Sequence, residues 1–316
     1  MFLGIDTSNY STSAALVDKN TYYSVTKLLP VKSGEAGLRQ ADAVFHHTKA
    51  LPAIISELYE KAGQNRIDAI GVTMRPRPVD GSYMPCFLCG EGLADSLGTV
   101  LGVKVHKLSH QEGHILAALY SAGRLDLLDS PFIAFHVSGG TTEAVICRPS
   151  EAQNGLPSIT YAAGSLDLKA GQLIDRTGLL LGLDFPCGIA IEALAAGCDE
   201  EIKVKPFSRG LDVSLSGFEN KAQQLLEKGA SREYTAKFVL TAVYSAIYEM
   251  TVKLRGEYGG LPVIYAGGVM SDIFIQDRLK SSLDSVYFSA PELSRDNAVG
   301  AALYAYLSEN KGNGTE

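Results

Sequence analysis

The chain has no run of about 18 apolar residues, the minimum for a membrane-spanning helix, so an integral helical membrane protein is excluded on length alone. Met1-Phe2-Leu3-Gly4-Ile5 enters a strand pattern with no basic leader before it, and no secretory signal is expected. Cysteine is scarce and odd in number: the five residues at 86, 89, 147, 187 and 198 cannot all pair as disulfides and predict a reduced, cytoplasmic protein. Cys86-Phe87-Leu88-Cys89 is a lone CxxC without the second pair that a zinc site needs, and reads as plain, partly buried cysteines. Basic charge is in deficit, 28 Lys and Arg against 35 Asp and Glu for a net −7, which argues against a generally basic nucleic-acid binder while leaving room for a local patch. Tryptophan is absent, and with 46% apolar and 20% charged residues the composition is that of a globular chain. At 316 residues it suits two domains or lobes.

Chemistry concentrates in His110-Gln111-Glu112-Gly113-His114. Two imidazoles at i and i+4 lie roughly 40° apart on a helix with about 6 Å between Cβ atoms, close enough to share one metal ion. Ser109 stands where an N-cap would open that helix. The zinc-protease pattern needs a glutamate directly after the first histidine; position 111 is Gln, and Glu112 falls about 200° around the helix from His110, so peptidase chemistry is disfavoured. By itself the pair reads equally as two polar residues on a helix surface, and a third ligand must come from elsewhere.

A repeat organises the chain. Phe2 to Leu16 lies over Phe132 to Ile146 at an offset of 130 residues, each copy an apolar strand, a short turn rich in Ser, Thr, Asn or Gly, and a second strand. After each hairpin, helical and strand patterns alternate: helices over Leu51–Ala62, Gly90–Leu101, Leu166–Leu181, Tyr234–Leu254 and Asp296–Leu307, strands over Ile67–Thr73 and Leu261–Ala266, and a frayed tail from Ser308. The fold class predicted is α/β, two duplicated lobes (1–125 and 126–316) with mixed sheets around a central cleft, the terminal helix packing back to that cleft. The turn Val137-Ser138-Gly139-Gly140-Thr141 clusters hydroxyl and backbone N–H donors suited to phosphates, and Gly267-Gly268 after a buried strand suits the border of an adenosine. Gly139-Gly140 is equally readable as a tight turn. Arg75 and Arg77, in a proline-rich loop, are candidate basic contacts or solvated loop residues.

Together these residues resemble the tRNA threonylcarbamoyladenosine transferase family, formerly called glycoproteases, within the actin-like, Hsp70 and sugar-kinase ATPase superfamily. The resemblance covers nearly the whole chain and implies actin-like (ribonuclease H-like) lobes. It implies one divalent metal ion, iron or zinc, on His110, His114 and Asp296, the last from Ser294-Arg295-Asp296-Asn297-Ala298. It implies an adenine nucleotide (ATP, AMP or threonylcarbamoyl-AMP) at Val137, Ser138, Gly139, Gly140, Thr141, Asp175, Gly188, Gly267, Gly268 and Asp272. The stretches Gly171-Gln172-Leu173-Ile174-Asp175-Arg176, Leu181 to Gly188 and Ser214-Leu215-Ser216-Gly217 carry further parts of the pattern. Asp6 and Ser8 fall at the catalytic hairpin, Asp6 orienting the metal site or a water. The implied acceptor is the N6 amine of adenosine-37 in tRNA, and companion subunits or a homodimer are compatible partners.

The departures are specific. Where the family carries Asp-Glu after Thr-Ser-Cys, this chain has Asn9-Tyr10-Ser11; the histidine after the Ser-Gly-Gly is Thr141; an Asn is Asp272; the first Gly of Pro-Gly-Gly is Cys187; and a basic residue is Glu219. Transfer is therefore expected to be impaired or redirected. Alternatives are a phosphotransferase or carbamoyltransferase acting on another acceptor, or a non-catalytic nucleotide-binding partner subunit.

Overall fold

A computed structural model describes residues 1–8, 10–19, 21–30, 38–150 and 155–310. Two compact units emerge: Met1–Leu128 with Pro149–Pro157 and the segment from Arg295 onward, and Asp129–Arg148 with Ser158–Ser294. In chain order the first unit holds β1 (Phe2–Asp6), β2 (Ser11–Val17), β3 (Tyr22–Leu28), α1 (Gln40–Ala62), β4 (Ala69–Arg75), α2 (Phe87–Leu101), β5 (Lys104–Ser109) and α3 (His110–Ser121). The second holds β6 (Phe132–Val137), β7 (Thr142–Arg148), β8 (Ser158–Gly164), α4 (Ala170–Leu180), α5 (Gly188–Ala195), β9 (Phe207–Arg209), β10 (Asp212–Ser214), α6 (Ser216–Glu227), α7 (Arg232–Tyr258), β11 (Val263–Ala266), α8 (Ile273–Ser282) and β12 (Val286–Phe288). Helix α9 (Val299–Asn310) returns to the first.

The duplication seen in sequence is a duplication of topology. One sheet runs β3-β2-β1-β4-β5 and the other β8-β7-β6-β11-β12, each an antiparallel three-stranded meander extended by two parallel strands. Every residue of β1 and β2 is buried, as expected of central strands covered on both faces. The first core gathers Leu3, Ile5, Leu16, Ile54, Leu58, Ile70 and Val72; the second gathers Ile133, Phe135, Ile146, Leu173, Val239, Val243 and Tyr265.

The structure extends or moves several expected elements. Helix α1 begins at Gln40, before the expected Leu51, and passes through Pro52. Proline removes one helical hydrogen bond, and the buried stripe Ala43, His47, Leu51, Ile54 and Leu58 on both sides of it holds the helix through that defect. The last helix starts at Val299, so Asp296 lies in the approach to it and not inside it; Asn297 Oδ1 accepts from the Val299 N–H at 2.9 Å and opens the helix. Helix continues to Asn310, past the expected start of a frayed tail, and residues 311–316 lie outside the described ones.

The expected division at residues 125 and 126 into two continuous lobes needs correcting, because α9 belongs to the first unit. The reason is backbone-to-backbone packing at glycines. A Cβ on Gly4 would sit 2.1 Å from Ala298 O, one on Gly71 would sit 1.8 Å from Ala301 O, and one on Gly300 would sit 1.8 Å from Gly113 O. Only glycine at all three positions lets α9 lie directly on β1, β4 and α3. That contact brings Asp296 to the helix that carries His110 and His114.

Candidate functional site

In the first unit, α3 opens with a reciprocal cap. Ser109 Oγ accepts from the Glu112 N–H at 3.2 Å, and the Glu112 carboxylate accepts from the Ser109 N–H at 2.6 Å. Glu112 is thus committed to the helix end, and the Ser-x-x-Glu spacing that signals this is legible in the sequence. The cap fixes the first turn, where His110 and His114 face the same way: their Nε2 atoms lie 2.9 Å apart. Asp296 Oδ1 is 3.5 Å from His110 Nε2 and 3.3 Å from His114 Nε2, and one ligand atom from each of the three residues falls within 4.8 Å of the others.

A second layer of side chains orients these three. His110 Nδ1 lies 3.1 Å from Asp6 Oδ2 and 3.3 Å from Asp6 Oδ1, and Thr73 Oγ1 donates a hydrogen bond to Asp6 Oδ1. Ser8 and Ser11 hydroxyls donate to Asp296 Oδ2 at 3.4 and 3.2 Å. Burial alone would lower the pKa of His110, but the Asp6 and Asp296 carboxylates outweigh it and push it up to about 10. Burial of Asp296 would raise its pKa, yet His110 and His114 hold it well below the ordinary carboxylate range. Two imidazole nitrogens and a carboxylate oxygen, with one imidazole anchored through its far nitrogen by a carboxylate, form a donor set that fits iron or zinc. Thr73 and Ser11 escaped sequence reasoning because only the β1–β4 register and the placement of α9 bring them here.

In the second unit the turn between β6 and β7 is gripped from two sides. A Cβ on Gly267 would meet Val137 O at 2.2 Å, and one on Gly171, in α4, would meet Gly139 N at 2.6 Å. Gly139 and Gly140 themselves face open space. The donors expected to be free are partly turned inward: the Gly140 and Thr141 N–H groups point at Ser138 Oγ, at 3.3 and 3.1 Å. Asp175 Oδ1 accepts from the Cys187 N–H at 2.9 Å and so ties α4 to the start of α5 at Gly188. Glu192 of α5 accepts from the Ile273 N–H at 2.9 Å, which brings α5 to the head of α8, where Asp272 Oδ1 accepts from the Ile275 N–H at 3.0 Å as N-cap. These contacts link the turn, Asp175, Gly188, Gly267-Gly268 and Asp272 into one neighbourhood. Asn9 lies outside the described residues.

Asp272 is buried, and burial, with a lesser contribution from Glu192, raises its pKa from 3.8 to about 7. A carboxyl whose folded pKa is raised favours the folded state fully below its unfolded pKa, and that contribution is lost as pH climbs through the folded value. The protein should therefore lose stability between about pH 4 and 7. An Asn at this position keeps the cap without the charge. Asp272→Asn is expected to raise stability at pH 8 by up to about 4 kcal/mol, at 1.36 kcal/mol per pKa unit, with little change at pH 4. Urea unfolding at both pH values measures this; identical pH dependence in the two proteins would remove Asp272 as the cause.

Residues 33–303 match the model of the family described as TsaD, tRNA N6-adenosine threonylcarbamoyltransferase. Two curated proteins of that name, from two Thermus thermophilus strains, are each 30% identical over 320 residues, covering 98% of this chain and 93% and 92% of theirs. One from Aromatoleum aromaticum is 28% identical, covering 96% and 90%. Among solved structures, full-length HypF in its phosphate- and nucleotide-bound form superposes with a TM-score of 0.58 at 14% identity, covering 97% of this chain, which spans 55% of that one. A ROK family glucokinase from Streptomyces griseus, in complex with glucose and AMPPNP, superposes at 0.52 and 13% identity, covering 96% and 98%. At these identities the structural likeness speaks to the fold, which is the actin-like two-lobed α/β class.

Proposed function

This chain belongs to the tRNA N6-adenosine threonylcarbamoyltransferase family, and from that premise we propose that it is a metal-dependent threonylcarbamoyl transferase acting in the cytoplasm on tRNA. The observation that carries the proposal is the convergence of His110 Nε2, His114 Nε2 and Asp296 Oδ1 within one ion's reach. A phosphotransferase would leave that set without a use. In this reading His110, His114 and Asp296 hold one iron or zinc ion, which when bound supplies Lewis-acid polarisation of a carbonyl. Asp6 keeps the His110 ring in place through Nδ1, and Ser8 steadies the Asp296 carboxylate.

The adenine nucleotide of threonylcarbamoyl-AMP lies against the second unit, phosphate at Val137, Ser138, Gly139, Gly140 and Thr141 and ribose near Asp175 and Gly188. Gly267, Gly268 and Asp272 border the adenosine. The N6 amine of a tRNA adenosine attacks the carbamoyl carbon. A C–N bond forms as the C–O bond to phosphate breaks, AMP leaves with the electron pair, and the amine proton passes to water. The acceptor is a single-stranded loop base, the kind of RNA that proteins recognise by splaying. Companion subunits or a second copy of the chain complete the assembly in this reading.

The nucleotide assignment has a direct test. A Cβ added at Gly140 meets no atom of the described residues within 4 Å, so Gly140→Val should fold normally while filling the space a phosphate would take. AMP and ATP affinity measured by calorimetry is expected to fall at least tenfold. Unchanged affinity in a folded variant would sink the phosphate assignment.

A further inference from the structure

Of the five cysteines, Cys89 alone is not buried. It stands three residues after Cys86 at the start of α2, and α2 is the crossover between the parallel strands β4 and β5. A CxxC that opens the helix of such a β-α-β unit is the setting in which neighbouring thiols exchange with disulfides. The local backbone has the shape that pairing needs. The Phe87, Leu88 and Cys89 N–H groups donate to the Met84, Pro85 and Cys86 carbonyls at 3.2, 3.1 and 3.3 Å, each three residues back. In a 3₁₀ ladder of this kind side chains at i and i+3 stand one above the other with Cα atoms about 6 Å apart, inside the span of a disulfide. Both cysteines sit against α1: Cys86 packs in a buried cluster with Ala43, and Cys89 Sγ donates to Val44 O at 3.5 Å.

The two thiols differ in access. Cys89 borders a cavity of about 360 Å³ between α1 and α2, lined also by Thr48, Leu51, Ile55 and Leu93. Cys86 has no exposed surface, and burial, with the Asp6 carboxylate, pushes its thiol up to about 12. An incoming reagent therefore meets Cys89, and Cys86 reaches only a sulfur already bonded to Cys89.

One side chain ties this turn to the three-ligand cluster. Thr7 Oγ1 donates to Cys86 O at 3.0 Å and accepts from the Gly90 N–H at 3.2 Å. Thr7 stands between Asp6, which holds His110, and Ser8, which holds Asp296. Phe87, inside the CxxC, has its ring centroid 6.1 Å from that of His110. Closing an S–S bond of about 2.05 Å tightens the turn at the carbonyl that Thr7 holds.

We propose that Cys86 and Cys89 are a reversible dithiol–disulfide pair, oxidised by low-molecular-weight disulfides, that loosens the three-ligand site through Thr7 when oxidised. With glutathione disulfide, the Cys89 sulfur attacks one sulfur of the reagent; the S–S bond breaks and the first glutathione leaves with the electron pair and the Cys89 proton. The Cys86 sulfur then attacks the Cys89 sulfur of the mixed disulfide, and the second glutathione leaves with the Cys86 proton. Two protein thiols are oxidised to one disulfide as one glutathione disulfide is reduced to two thiols. The effect on the site rests on the reading of His110, His114 and Asp296 as metal ligands; the pair itself does not.

The test incubates the folded, full-length protein with glutathione disulfide and follows intact mass and disulfide mapping. Wild type should lose two hydrogens, with the bond mapped to Cys86 and Cys89 and reversed by dithiothreitol. Cys86→Ala should stop at the mixed disulfide on Cys89, and Cys89→Ser should leave Cys86 unreacted. Wild type that stays reduced, or that stops at the mixed disulfide, overturns the pair. Zinc affinity is then measured on reduced and oxidised wild type by chelator competition. Oxidation should weaken it by about 10-fold or more, the scale for disturbing the partner of a metal ligand. Equal affinity in the two forms overturns the control of the site. Reduced protein that binds no zinc counts against the metal reading, while the mapping still decides the pair.

Discussion

Asp296→Ala is expected to abolish stoichiometric metal binding while the protein remains folded. Three ligand atoms within 4.8 Å of one another are what the site offers, and the substitution removes the one carboxylate among them. Removing even a supporting partner of a metal ligand typically costs about 10- to 100-fold in affinity, and removing a ligand costs more. The loss should therefore exceed about 100-fold for iron or zinc, whichever loads, by elemental analysis of dialysed protein and by competition with a chelator. Asp6→Asn, which among the three ligand residues contacts His110 through its far nitrogen, should fall in the 10- to 100-fold range. Packing of α9 rests on Gly4, Gly71, Gly113 and Gly300, none of which is altered, so circular dichroism should be unchanged. Full metal occupancy in Asp296→Ala would show that the ion, if bound, sits elsewhere, and the function proposed above would lose its carrying observation.

Transfer should be slow. In single-turnover reactions with threonylcarbamoyl-AMP and unmodified tRNA, the rate is expected to fall about 10²- to 10⁴-fold below that of the Thermus thermophilus relative, the usual worth of a general acid–base group. The family pattern places two acids in the first hairpin, where this chain has Asn9-Tyr10-Ser11. Ser11 spends its hydroxyl on Asp296, and Tyr10 is 47% exposed. Among the described residues, the two carboxylates that touch His110 are already engaged: Asp6 with Thr73 and His110, Asp296 with both histidines. Neither can replace a lost base without releasing what it holds. Equal rates in the two proteins would show the acids to be dispensable. Tight metal and nucleotide binding with no transfer would point to a different acceptor for the same chemistry.

Periodicity and repetition are local properties, and what depends on them was legible in the residue string. The hairpins starting at Phe2 and Phe132, the buried strand before Gly267-Gly268 and the helix opening at His110 need only alternation, turn residues and a cap to be seen. The i, i+4 spacing of His110 and His114 likewise determined that the two rings could meet. Whether they meet anything else was settled by packing. Asp296 lies 182 positions beyond His114, and it reaches the pair because α9 joins the first unit on a surface of glycines; spacing along the chain carries no record of that return. The motif resemblance named Asp296 as a ligand, while the lobe boundary read from the repeat left its helix with the second half of the chain, since a repeat records where elements recur and not which sheet a helix covers. Thr73 against Asp6 and Ser11 against Asp296 are likewise products of strand register. Register follows from long-range pairing of β1, β4 and β5, and only the folded chain brings those partners together.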